Sequence, residues 1–184
     1  MKKLKLLLFS SVLFFTACGT TETIDSTSTR FDIWEYMTAT VDYKVEYDVY
    51  ENGQKVDYYE EEHRMVNNDT YTRESSSGLT TLYRNGRDIE MKEPSQTIKV
   101  ERYVYLGDKG IFHAPTLKDC TAERFYNTYE RKGMVYHRVL LIECESNSGV
   151  TQQFYYGYNE GLIVTYTNNG VLEEERVKIG ESRL

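Results

Sequence analysis

The sequence predicts an all-β protein, an antiparallel meander of about ten strands forming an open or closed barrel-like sheet, with little helix. Three observations carry this reading. Val41, Tyr43, Val45, Tyr47 and Val49 alternate with Asp42, Lys44, Glu46 and Asp48, the period-two pattern of a strand with one apolar and one charged face. Turn-forming clusters recur along the chain at the spacing of hairpin-linked strands. Aromatic residues are 14% of the chain, and 17 residues are Tyr, a composition suited to strands.

In chain order, the first residues are not part of this sheet. Met1-Lys2-Lys3-Leu4-Lys5 is a basic segment, Leu6 to Phe15 an apolar run, and Thr16-Ala17-Cys18 follows, which is the layout of a secretory signal peptide. The apolar run is too short for a stable membrane-spanning helix. A cysteine after a small residue at the end of such a run resembles the lipobox of bacterial lipoproteins. That resemblance implies cleavage before Cys18, removal of residues 1–17, and acylation of Cys18 with palmitate-like chains, enough to hold a protein on a membrane. An ordinary signal peptide with an incidental cysteine, or an N-terminal core strand, is the competing reading. Residues 18–30, CGTTETIDSTSTR, have nothing to bury and read as a flexible tether. Gly19 after Cys18 points to the outer membrane, facing the periplasm, by the enterobacterial sorting pattern. Residues 31–184 form one β domain of ordinary size.

Only Phe31 to Met37 looks briefly helical. The strand Val41 to Val49 turns at Glu51-Asn52-Gly53-Gln54 into Lys55 to Val66, and Asn67-Asn68-Asp69 leads to Thr70 to Ser75. Asn85-Gly86, a strong hairpin signal, joins Leu79 to Arg84 with Arg87 to Glu93. Ile98, Val100, Val104 and Leu106 share a parity in the next strand, interrupted by Arg102. Ser146 to Gly149, Asn159-Glu160-Gly161 and Asn168-Asn169-Gly170 separate the last strands, Val150 to Tyr158, Leu162 to Thr167 and Val171 to Ile179.

Of three cysteines, Cys120 and Cys144 are left to pair once Cys18 is acylated, in a compartment that permits disulfides. A three-residue loop Arg131-Lys132-Gly133 sets Glu130 opposite Met134, and counting outward then places Cys120 opposite Cys144, within disulfide reach. The same register puts Ala122 by Ile142, Arg124 by Leu140 and Asn127 by His137. Two free buried thiols are the alternative, because one bulge would shift the register.

Removing the three lysines of residues 1–17 leaves 19 Lys and Arg against 29 Asp and Glu, a net charge of −10. Such a body repels phosphate backbones, which argues against nucleic acid. Charge on both faces of Lys55 to Val66 argues against a transmembrane barrel. His63, His113 and His137 lie in no metal-ligand spacing, and no nucleophile motif or phosphate loop is present. The sequence therefore suggests no enzyme, metal or cofactor. The runs Glu60-Glu61-Glu62 and Glu173-Glu174-Glu175 read as solvated strand edges that block strand addition.

Gln152 to Val164, QQFYYGYNEGLIV, resembles a strand-turn-strand segment near the end of many periplasmic lipoproteins. With the opening strands it is similar to the half-barrel of the LolA and LolB lipoprotein carriers and of lipoproteins from the epsilon branch of proteobacteria. Those carriers plug the concave face with helices, of which this chain has almost none. The resemblance implies non-covalent binding of a lipid or other hydrophobic ligand in the concavity, against Val41, Tyr43, Val45, Tyr47, Val49, Phe154, Tyr156 and Leu162. The same residues would serve equally as plain core. A second expectation is an envelope interaction or structural lipoprotein that holds a protein partner through Tyr58, Tyr59, Tyr103 and Tyr105.

Overall fold

A computed structural model describes residues 29–170 and 173–184. Cys18, the signal segment, most of the tether and Val171-Leu172 lie outside the described residues.

A short ribbon strand β1 (Phe31–Asp32) leads into a single helical turn, α1 (Ile33–Met37). The strands β2 (Tyr43–Glu51), β3 (Gln54–Asn67), β4 (Thr70–Ser75), β5 (Gly78–Asn85), β6 (Asp88–Lys92) and β7 (Thr97–Glu101) follow as hairpins. After β8 (Tyr103–Val104) and β9 (Phe112–His113) come the long β10 (Leu117–Arg131) and β11 (Met134–Ser146), then β12 (Thr151–Gly157), β13 (Gly161–Asn168) and β14 (Glu173–Arg183). Twelve of these form one antiparallel sheet in the order β10-β11-β12-β13-β14-β2-β3-β4-β5-β6-β7-β9, and β1 pairs with β8 apart from it. The predicted meander is therefore present as two meanders joined by the pairing of β14 with β2.

The strand expected over Ile98 to Leu106 is instead two, and Arg102 is the reason. Its guanidinium grips both carboxylate oxygens of Asp32 at 2.7–3.0 Å. The chain thus leaves the sheet at Arg102 to pair with β1. Closure of the sheet falls to the segment that follows. Gly107 N donates to the carbonyl of Ala122 (2.8 Å), Ala122 N to that of Asp108 (3.1 Å), and Ile111 N to that of Cys120 (3.3 Å). These bonds bring the β9 side of the sheet against β10 and nearly close the barrel.

The β10–β11 hairpin corrects the expected register and explains why the cysteines meet. The turn is two residues, Lys132 and Gly133, both at positive φ (51° and 79°), the primed geometry that suits a tight hairpin. Arg131 therefore faces Met134, Arg124 faces Leu141 rather than Leu140, and His137 faces Thr128 rather than Asn127. A bulge between Ala122 and Arg124 restores the pairing of Ala122 with Ile142. Cys120 and Cys144 then form a disulfide, with Cα atoms 4.0 Å apart.

Two apolar cores result. The first fills the barrel, with Tyr43, Val45, Tyr47, Tyr71, Leu82, Ile89, Val100, Leu140 and Ile142 from around the wall. Into one end of it fits α1, whose Ile33, Trp34, Tyr36 and Met37 are all buried. One helical turn has no stability alone. Here Asp32 caps it through Trp34 N at 3.1 Å, and burial of side chains such as Ile33 and Met37 contributes roughly 1.5–3 kcal/mol each. The second core lies outside the barrel. Beyond Arg138, which adopts a left-handed backbone (φ 53°), the tip of the β10–β11 hairpin has no β12 partner. The tip packs Tyr126, Tyr129, Tyr136 and Val139 with Tyr155, Ile163, Val164 and Val177. Tyr136 donates its hydroxyl to the Lys178 carbonyl and Arg131 pairs with the buried Glu175. Among the described residues no helix is long and apolar enough to cross a membrane.

Candidate functional site

The helical turn α1 fills one end of the barrel, with a cavity of about 340 Å³ beside it lined by Arg30, Glu35, Tyr36 and Arg138, and a larger one lies at the other end. A cavity of about 500 Å³ opens there, lined by Met91, Ile98, Phe112, Leu117, Phe154, Tyr156 and Leu162 on its apolar side. It sits at the seam of the sheet, with Ile98 and Phe112 from one edge and Leu117 from the other. Its volume is within the range of small-molecule sites. Gln152, Thr165, Thr167 and the Glu93–Gln96 pair (2.8 Å) add polar groups to the lining.

Three of the residues expected to face a ligand, Phe154, Tyr156 and Leu162, line this cavity. Tyr43, Val45 and Tyr47 point inward but belong to the packed core. The hydroxyls of Tyr43 and Tyr47 donate to the carbonyls of Glu160 and Leu162, each at 2.8 Å, in the stretch where β13 no longer pairs with β14. Val49 is half-buried opposite Arg176 and does not line the cavity. Val41 is a correction: it lies in a bend before β2 and is 46% exposed. The alternating pattern there outruns the strand, because the Asp42 carboxylate is engaged by Met65 N at 2.8 Å.

Charged groups that the sequence reading placed outside are also found inside. β3 and β14 are interior strands of the sheet, so neither glutamate run is an edge. Within the first run, Glu60 and Glu62 pair outward with Lys44 and Arg64, whereas Glu61 points inward to His63 Nε2 at 3.1 Å. His63 is fully buried, its Nδ1 lies 2.7 Å from the Tyr71 hydroxyl, and its ring sits 4.9 Å from that of Tyr43. With Glu61 ionised, Nε2–H donates to the carboxylate and Nδ1 accepts from Tyr71. Burial lowers the His63 pKa below its ordinary value, against the pull of Glu61. Burial also pushes Glu61 up, but His63 and Arg73 hold its pKa below the usual carboxylate value. In the second run Glu174 lines the cavity beside Arg176, and Glu175 is buried under the hairpin tip.

Arg73 and Arg176 were missed. Both line the cavity, and their parity with Tyr71 and Glu174 was readable from the strand pattern. What the pattern lacked was any reason to expect cations on the inner face. Arg176 Nε donates to Glu174 at 3.0 Å, and its guanidinium lies 5.9 Å from the Tyr59 ring centre. Tyr59 is itself stacked on Tyr47 (centroids 4.9 Å). Of the four expected surface tyrosines, Tyr58 and Tyr105 are exposed, whereas Tyr103 is half-buried beneath Arg30 and Arg102. Among the described residues no group of His, Cys, Asp or Glu could hold a metal ion.

No family model and no curated protein matches the chain. A solved structure from Bacteroides fragilis, described as an exported protein with a YmcC-like fold, superposes with a TM-score of 0.52 at 9% identity, covering 80% of this chain and 99% of that one. A protein from Parabacteroides distasonis described as a lipoprotein gives 0.43 at 12% identity, covering 80% and 98%. A LolA superfamily protein from Nitrosomonas europaea gives 0.29 at 13%, covering 82% and 89%. At these identities the first likeness shows the fold alone, and the two weaker ones carry no argument.

Proposed function

We propose that this protein is a non-catalytic lipoprotein of the bacterial envelope, anchored through Cys18, whose barrel binds a lipid or other apolar ligand at its open end. The supporting observation is the asymmetry of the interior. At one end α1 buries Ile33, Trp34, Tyr36 and Met37, and the other keeps an open cavity of about 500 Å³ walled by Phe112, Phe154, Tyr156 and Leu162. A sheet that only needed a core would fill this volume with larger side chains, because voids forfeit packing energy. The anchor would set the open barrel close to a membrane surface, where such ligands are concentrated.

The test is photo-labelling of the purified full-length protein with a diazirine-bearing methyl palmitate, followed by mass-spectrometric mapping. Label concentrated on Phe154, Tyr156, Leu162 and Phe112, and lost in Leu162→Trp, is the expected result. Label spread over the outer strand faces, unchanged in that variant, would count against a ligand barrel. The protein-partner reading draws on exposed tyrosines, and Tyr59 faces the interior while Tyr103 is half covered, so it is not favoured.

A further inference from the structure

Two buried side-chain polar atoms among the described residues lack a hydrogen-bond partner, Asp48 Oδ1 and Arg73 Nε. Asp48 Oδ1 lies 2.5 Å from the Lys55 ammonium and is neutralised by it. Arg73 Nε has no such relief. The guanidinium reaches from β4 into the barrel, and among the described residues its one hydrogen bond runs from Nη2 to the Met91 thioether at 3.5 Å, a weak acceptor. Glu61, the carboxylate whose field reaches Arg73, is hydrogen-bonded to His63 instead. Arg176, the other cation of the cavity, is already held by Glu174. The cavity wall thus includes one guanidinium that no carboxylate or carbonyl among the described residues hydrogen-bonds, beside apolar side chains. A buried donor left unmade is disfavoured, and a planar guanidinium is suited to an oxyanion with two acceptor oxygens. Tyr156 shares the cavity lining. Burial pushes its pKa up to about 12, so its hydroxyl is protonated and can act as a second donor.

We infer that the ligand is an anionic amphiphile, whose carboxylate or phosphate is held by Arg73 and Tyr156 while its acyl tail lies on Phe112, Phe154 and Leu162. This rests on the ligand-barrel reading above and adds the charge of the ligand to it.

The experiment compares 11-(dansylamino)undecanoic acid with its methyl ester, titrated by dansyl fluorescence against the full-length protein at one fixed maltoside concentration. The acid should bind the wild type roughly ten- to a hundred-fold more tightly than the ester, the range of a charge-assisted hydrogen bond. Arg73→Met should erase that preference, bringing acid and ester to about equal affinity, and Tyr156→Phe should reduce it in part. Equal affinity of acid and ester for the wild type overturns the inference while leaving the ligand barrel intact, and needs no variant to fold. Acid preference that survives in a folded Arg73→Met variant also overturns it. Failure of both probes to bind the wild type overturns the ligand barrel itself, and this inference with it. Displacement of the bound acid by palmitate or by lysophosphatidate then tells a fatty-acid source from a phospholipid one.

Discussion

Breaking the Cys120–Cys144 bond is the most informative perturbation of the fold. The cysteines are 24 residues apart in sequence, and cross-linking a loop of about 25 residues removes unfolded-state entropy equivalent to about 3.5 kcal/mol at 25 °C. Residual hairpin structure in the unfolded chain, favoured by the Lys132-Gly133 turn, works to reduce that figure, so the double variant Cys120→Ala/Cys144→Ala should lose about 2–4 kcal/mol. Both side chains are buried, and alanine avoids placing new hydroxyls there. Urea unfolding followed by circular dichroism would read this as a fall in midpoint of about 1–2 M for an m-value near 2 kcal/mol/M. The carbonyl of Cys120 also receives Ile111 N, so amide exchange at Ile111 should rise more than at Leu82 on the far wall. Superimposable unfolding curves for the two proteins, or alkylation of both cysteines in the unreduced, unfolded wild type, would refute the reasoning.

Other expectations concern the buried polar groups and the second core. Wild-type stability should decline as pH falls from about 7 toward 5. Burial lowers the His63 pKa in the folded state, so below the ordinary value of about 6.5 the unfolded chain binds the additional proton. His63→Phe should flatten that slope in pH-dependent urea titrations, and an equally steep slope would assign it to other groups. Tyr136→Phe deletes the hydroxyl that the Lys178 carbonyl accepts and should cost about 1–2 kcal/mol in the same assay, with no cost if the hairpin tip is undocked in solution. Arg102→Met removes the fork on Asp32, whose side chain, like that of Arg102, is less than one-fifth exposed (18% and 16%). Discounted for that solvent contact, the loss should be about 1–3 kcal/mol, with faster amide exchange confined to Phe31–Met37. Exchange spread evenly over the sheet would contradict a local role.

Strand existence was legible because it depends on local pattern. Alternation over Tyr43 to Tyr47, the turns at Asn52-Gly53 and Asn85-Gly86, and the brief helix near Ile33 all appear where expected. The disulfide was legible for a reason that was half right. The turn was taken as one residue too long, and the Glu123 bulge makes up the difference, so the cysteines meet although Arg124 and His137 have other partners. What could not be read is where the two half-sheets join. Nothing local says that β14 pairs with β2, and only that pairing makes the glutamate runs interior. The split at Arg102 depends on Asp32, 70 residues away, and is equally non-local. For the cavity, the resemblance to half-barrel carriers singled out Phe154, Tyr156 and Leu162, but the space between them depends on which residues across the barrel are too small or too far to fill it.

The second core makes the barrel mechanically uneven. Around Tyr155, Val164 and Val177 the β12–β14 wall is backed by the hairpin tip as well as by the interior, whereas the outward residues of β3, such as Val56, Tyr58 and Val66, are open to water. Opening a strand covered on both sides exposes more apolar surface, so local fluctuation should concentrate in the singly covered wall. That wall carries Arg73, Met91 and Ile98. The cavity is thus bounded by one stiff plate and one compliant one, and changes in its width should come from the side that carries Arg73.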